Sequence, residues 1–160
     1  MASYPSLSTK EHFIALIQID SDRKSFRATC KSFHRVESDH CTRIKFLRPE
    51  YVSNLLRNYN RADTLDFSSC PRIHDGSISV LLSDVNCMMG AKAVDVSHYC
   101  QFGDREAAAL SCAAELREIK MDKCLKLTDV GLAKIAIRCE KLEKMGLKWC
   151  SDITDLGIEG

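Results

Sequence analysis

The chain has 160 residues, of which 45% are apolar and 28% charged, the balance of a polypeptide that buries a core rather than of a disordered one. Lys and Arg number 23 against 22 Asp and Glu, so no global field points to nucleic acid or an anionic membrane, and the expected partner is a protein. No apolar run approaches the roughly 20 residues that span a bilayer. The opening MASYPSLSTKEHF has no basic stretch followed by an apolar one, so neither membrane insertion nor secretion is expected.

In chain order, Phe13, Leu16 and Ile19 first set an apolar stripe at helical spacing. SDRKSFRATCKSFHRV at 21–36 then offers Ser21 or Asp22 as a helix cap, with Phe26, Cys30 and Phe33 recurring at spacings of four and three. Arg23, Lys24, Arg27, Lys31 and Arg35 occupy much of the remainder, which predicts an amphipathic helix with a solvated basic face. CTRIKFLRP at 41–49 predicts a short strand around Ile44 and Phe46, and Pro49 is suited to the first turn of a helix over 50–59.

From there the chain repeats itself. ADTLDFSSC at 62–70, AKAVDVSHY at 91–99, LREIKMDKC at 116–124 and LEKMGLKWC at 142–150 share one apolar pattern and begin 29, 25 and 26 residues apart. In the second copy Tyr99 stands where the cysteine belongs and Cys100 follows one place late. Past the cysteine, Leu127 and Ile153, Asp129 and Asp155, Gly131 and Gly157, and Leu132 and Ile158 fall at equal offsets, while Cys70 leads into Ile73, Asp75, Gly76 and Ile78.

Each unit reads as strand, turn and helix. Ile119 and Met121 point inward and Lys120 outward, as a strand requires. Thr128 or Asp129 caps a predicted helix from about Val130 to Cys139 whose Leu132, Ile135 and Ala136 share a face. Strand and helix are each apolar on one side only, so they bury both by stacking on neighbouring units. The corner after the strand suits a small apolar side chain with a weak donor, which predicts Cys70, Cys124 and Cys150 as a buried ladder bonded to backbone carbonyls. The nine cysteines include no CxxC pair, so reduced, metal-free thiols are expected.

The strings VDVSH, GDREAAALS, LREIKMDKC, LTDVGLAKIA and LKWCSDITDLGI resemble those of plant F-box/leucine-rich-repeat proteins. The resemblance implies an F-box-like helical segment over 1–40, then an α/β leucine-rich-repeat solenoid of the cysteine-containing type over 41–160, with four to five units. It further implies a longer unit between Leu82 and Ala91 and further repeats beyond Gly160, so that Met145, Leu147, Ile153 and Ile158 are expected to lie partly uncovered. Such proteins are non-catalytic substrate-recognition subunits of Skp–cullin–F-box ubiquitin ligases, acting in the cytoplasm or nucleus without a cofactor.

Phe26, Arg27, Cys30, Lys31 and Phe33 fit the F-box ending position by position, and the resemblance implies docking on a Skp-type adaptor, held by a cullin scaffold, through Leu7, Phe13, Leu16, Phe26, Cys30 and Phe33. The opening departs from the pattern, with Ser8 for a proline, Lys10 near an acidic place and Glu11 and His12 where leucines lie. A repeat protein that binds its partner without adaptor docking is therefore a second reading.

No GxSxG, P-loop, HExxH or dinucleotide fingerprint supports an enzyme. The residues expected to face a protein substrate on the concave side are Asp66, Asp95, His98, Lys120, Asp122, Lys148 and Trp149, running from acidic to basic along the array. Trp149, the only tryptophan, is either an aromatic anchor for that partner or packed on a following repeat.

Overall fold

A computed structural model describes residue 35 and residues 38–70 and 90–159. The chain divides into two units, residues 1–41 and 42–160. In the first, residues 38–40 are helical and Ser38 is buried. Leu7, Phe13, Leu16, Phe26, Cys30 and Phe33 lie outside the described residues, as do Ile73, Asp75, Gly76 and Ile78.

The second unit is mixed α/β. Its strands are β1 (Arg43–Lys45), β2 (Thr64–Asp66), β3 (Ala93–Asp95), β4 (Glu118–Lys120) and β5 (Lys144–Gly146). They form one parallel sheet in sequential order, each strand paired with the next. Thr64 registers with Ala93, Ala93 with Glu118 and Glu118 with Lys144, which are the 29-, 25- and 26-residue offsets of the sequence copies. The strands are only three residues long because the chain must turn away after each one to reach its helix.

Those helices are α1 (Val52–Asn58), α2 (Asp104–Leu110), α3 (Asp129–Arg138) and α4 (Asp155–Glu159). A 3₁₀ turn, Pro49–Tyr51, leads into α1 with Pro49 in its first turn, where a missing N–H costs nothing. Successive helices pack on one another, α2 on α3 and α3 on α4.

The core lies between sheet and helices. Ile44, Leu65, Val94 and Ile119, central in their strands, are buried, as are Phe46, Phe67, Val96 and Met121, which each follow a strand. Phe46 and Phe67 stack with ring centroids 4.4 Å apart, 13° from coplanar. From the helices come Ala107, Leu110, Leu132 and Ile135.

Two expectations about packing need correction. Ala136 is exposed; the buried stripe of α3 runs through Gly131, Leu132 and Ile135 and ends on Cys139, leaving Ala136 on its margin facing out. Of the three ladder cysteines only Cys124 is fully buried, whereas Cys70 and Cys150 are half-buried. Among the described residues Cys124 has a neighbouring strand and turn on each side, whereas Cys150 has one on the β4 side alone. Tyr99, in the cysteine's place, packs edge-on against Phe102 at 6.4 Å.

Helix starts are tied across units. Thr128 caps α3 by accepting from Val130 N–H at 3.2 Å. The Asp104 carboxylate, one unit back, accepts from Thr128 N–H at 2.9 Å, Thr128 Oγ1 at 2.7 Å and Gly131 N–H at 3.1 Å. Asp129 repeats this toward Thr154, accepting from its N–H at 2.8 Å and its Oγ1 at 2.6 Å. Gly131 makes the approach possible, because a Cβ there would meet Asp104 Oδ1 at 2.5 Å and Asp104 Cα at 3.0 Å.

Candidate functional site

Parallel sheets are ordinarily covered on both faces. Here the middle residue of each strand turns inward and the flanking residues turn to an open face, because those flanking positions are polar or small. Strand register sets them in two rows across the sheet: Arg43, Thr64, Ala93, Glu118 and Lys144, then Lys45, Asp66, Asp95, Lys120 and Gly146. A hollow of about 310 Å³ opens between these rows, lined by Thr64, Asp66, Ala93, Asp95, Glu118 and Lys120 among others.

Asp66 and Asp95 are register partners, so their backbones stand one strand spacing apart, roughly 4.8 Å. Their carboxylates also shape the turns. Asp66 Oδ1 accepts from Ser68 N–H at 3.0 Å and Ser68 Oγ at 2.6 Å, and Oδ2 faces Lys45 Nζ at 3.8 Å. Asp95 Oδ1 accepts from Ser97 N–H at 3.0 Å. Asp122 Oδ1 instead reaches the next unit and accepts from Lys148 N–H at 2.9 Å. Lys120 pairs along its own strand with Glu118 at 3.3 Å.

A further row follows along the turns. His98, Lys123 and Trp149 occupy the same place in three successive units, and all three adopt left-handed backbone, with φ of 69°, 64° and 64°. Each is exposed, and Trp149 is 78% accessible. Trp149 is therefore left largely uncovered by the described chain. The expected concave residues thus fall into two groups: Asp66, Asp95 and Lys120 around the hollow, and His98, Asp122, Lys148 and Trp149 along the turns. Sequence reasoning missed the first row, Arg43, Thr64, Ala93, Glu118 and Lys144. The inward Ile or Val following each of several of those positions was the signal for it.

The thiols beneath the turns are structural in character. Cys124 Sγ donates to Val96 O at 3.5 Å and Cys150 Sγ to Met121 O at 3.0 Å, each to the residue after the preceding strand. Burial, then the neighbouring thiols of Cys150 and Cys100, raises the Cys124 pKa far above the ordinary thiol range. Burial also raises Cys139, whose Sγ lies 3.9 Å from Ser111 O, and Cys150. Such thiols stay protonated and are poor nucleophiles. Among the described residues, no three His, Cys, Asp or Glu side chains are placed to hold a metal ion. No helix among the described residues is long and apolar enough to cross a membrane.

No family model matches the chain. What the geometry offers is an open, charged sheet face edged by an exposed aromatic.

Proposed function

We propose that residues 42–160 are a leucine-rich-repeat solenoid of the cysteine-containing type, and that the chain is the substrate-recognition subunit of a Skp–cullin–F-box ubiquitin ligase. The observation that carries the binding role is the open face of a parallel sheet, where charged and small side chains replace the apolar ones that a covered sheet presents. The repeat reading is supported by the sequential parallel order, the match between register offsets and copy spacing, and the recurring left-handed corner at His98, Lys123 and Trp149.

In this reading a protein substrate lies on Asp66, Asp95, His98, Lys120, Asp122, Lys148 and Trp149. The segment over 1–40 docks a Skp-type adaptor through Leu7, Phe13, Leu16, Phe26, Cys30 and Phe33, in the cytoplasm or nucleus. The chain performs no chemistry itself and positions the substrate for a ubiquitin-conjugating enzyme held by the cullin. Capture of a Skp-type adaptor by the full chain tests the assignment. Phe26→Ala should weaken that capture by about 2 kcal/mol or more, as removal of a buried aromatic anchor does. An unchanged affinity would remove the adaptor interface from the reading.

Ser8, Lys10, Glu11 and His12, at the opening of the F-box-like segment, favour a second reading in which the repeats bind a partner but the adaptor does not dock. Failure to capture adaptor, combined with partner binding that Trp149→Ala weakens, selects it.

A further inference from the structure

We infer that the open sheet face is polarised to take an extended polypeptide segment crossing the strands, with an Arg or Lys seated in the hollow at β2 and β3 and an Asp or Glu about three residues away over β5. The inference rests on the polypeptide-binding role proposed above and adds the chemistry of the segment that the face selects.

The polarity emerges once the charges that the face pairs internally are set aside. Lys45 faces Asp66 at 3.8 Å, and Lys120 faces Glu118 at 3.3 Å. Lys120 is the register neighbour of Asp95 on β4 but turns along its own strand, so Asp95 has no cation paired with it among the described residues. Its Oδ1 accepts from Ser97 N–H, and its Oδ2 remains for an incoming donor. At the other end Lys144 and Lys148 are exposed, and neither ammonium has an anionic partner among the described residues.

The two ends also differ in shape. Thr64 and Ala93, the small members of the first row, leave the hollow of about 310 Å³ beside Asp66 and Asp95. That volume lies at the lower limit of ligand pockets, roughly 300 Å³, and suits one long side chain better than a whole small molecule. Because Asp66 and Asp95 are in register, a guanidinium fork between them reaches a carboxylate on each strand. The Asp66 side chain is only 14% accessible, so a pair made with it is sheltered from salt.

On β5 the second row ends at Gly146, which has no side chain and lies between Lys144 and Lys148. A carboxylate over Gly146 has a lysine on either side. Asp122 is the opposing charge there, with Oδ1 3.0 Å from where a Cβ of Gly146 would stand, but that oxygen is engaged by Lys148 N–H and the two lysines outnumber it. β3 and β5 are two strand spacings apart, roughly 10 Å, which an extended chain covers in about three residues. A uniformly acidic or uniformly basic segment would meet like charge at one end, and an apolar one would desolvate Asp95 without pairing it.

The test pans a random peptide display library against the full chain, against Asp95→Asn and against the double variant Lys144→Gln, Lys148→Gln. Asparagine keeps the Oδ1 acceptor for Ser97 N–H, so Asp95→Asn should melt with its parent. The full chain should enrich peptides with Arg or Lys about three positions from Asp or Glu, in either order. Asp95→Asn should abolish enrichment of the basic residue alone, and the double variant that of the acidic residue alone. A synthetic peptide of the parent's consensus should bind Asp95→Asn roughly tenfold more weakly, and should lose affinity for the parent as salt is raised. Enriched peptides that lack this charge pair, and whose binding Trp149→Ala weakens, overturn the polarity and leave the binding role of the face standing. Charge-paired peptides that bind Asp95→Asn as tightly as the parent overturn it as well. A library from which the full chain retains no peptide overturns the inference and that role together.

Discussion

Cys124 and Cys100 are chemically the same side chain in opposite settings, one wholly buried beneath the turns and one exposed. A thiol reagent applied to the folded protein should therefore modify Cys100 readily and spare Cys124 until denaturant is added, which peptide mapping by mass spectrometry reads directly. Asp129 is a second residue with a measurable signature. Its hydrogen bonds from the Thr154 hydroxyl and then the Thr154 N–H lower its pKa below the ordinary aspartate value. A lowered carboxylate contributes its full stabilisation above that ordinary value, about 3.9, and loses it as pH falls through the lowered one. In an NMR titration Asp129 should protonate below ordinary aspartates, and Thr154→Val should move it back toward them. Gly131 is the third. Alanine there must displace Asp104, including its backbone, so Gly131→Ala should cost about 1–3 kcal/mol in urea unfolding. A Gly131→Ala protein as stable as its parent would mean that α2 and α3 do not approach as described.

At the scale of elements, most of the secondary structure was legible. The recurring nine-residue pattern placed β2 to β5, and alternation told which of Ile119, Lys120 and Met121 turn inward. Thr128 or Asp129 was the expected cap of α3; the structure selects Thr128 and adds that it is held in turn by Asp104. That tie was not legible, because the partners are 24 residues apart and no local pattern pairs them. The left-handed corners were hidden for a different reason: Lys123 and Trp149 do not signal positive φ as Gly or Asn would, and the one His among them, His98, does not by itself mark a recurring corner. Ala136 was misplaced because helical spacing fixes the direction of a side chain but not how far the neighbouring unit reaches over it. Thr128→Ala removes both the cap and the hydroxyl bond to Asp104, and should cost about 1–2 kcal/mol. Thr128→Ser should restore most of that loss; equal losses for the two variants would show that the hydroxyl does not matter.

On the scale of the whole molecule, stability should follow position along the sheet. Among the described residues Ile119, Met121 and Cys124 are wholly buried between neighbouring strands, whereas Met145, Leu147 and Cys150 are half-buried beside β4. In the proposed solenoid, stability is gained unit by unit from nearest neighbours, so amides in 118–124 should exchange more slowly than those in 144–150. Uniform exchange across both stretches would show instead that residues 42–160 open as a single cooperative block. The ion pairs joining neighbouring units, Lys92–Asp63, Arg117–Glu143 and Lys141–Glu115, are exposed and should add little to this gradient.

Under the proposed binding role, the left-handed corners imply that folding and recognition make opposed demands on three positions of the chain. A bulky L-residue in that conformation is strained by roughly 1–2 kcal/mol, a strain that glycine escapes. Trp149 recovers little by burial, being 78% accessible. Trp149→Gly should therefore hold or raise the melting temperature while weakening whatever binds the open face, and the same trade applies to His98 and Lys123. Under the proposed binding role these corners are replaceable contact points: a library varied at His98, Lys123 and Trp149 alone, with proline and β-branched residues left out because of the positive φ and the N–H bonds of His98 and Lys123, should fold throughout yet differ from member to member in the polypeptide it captures.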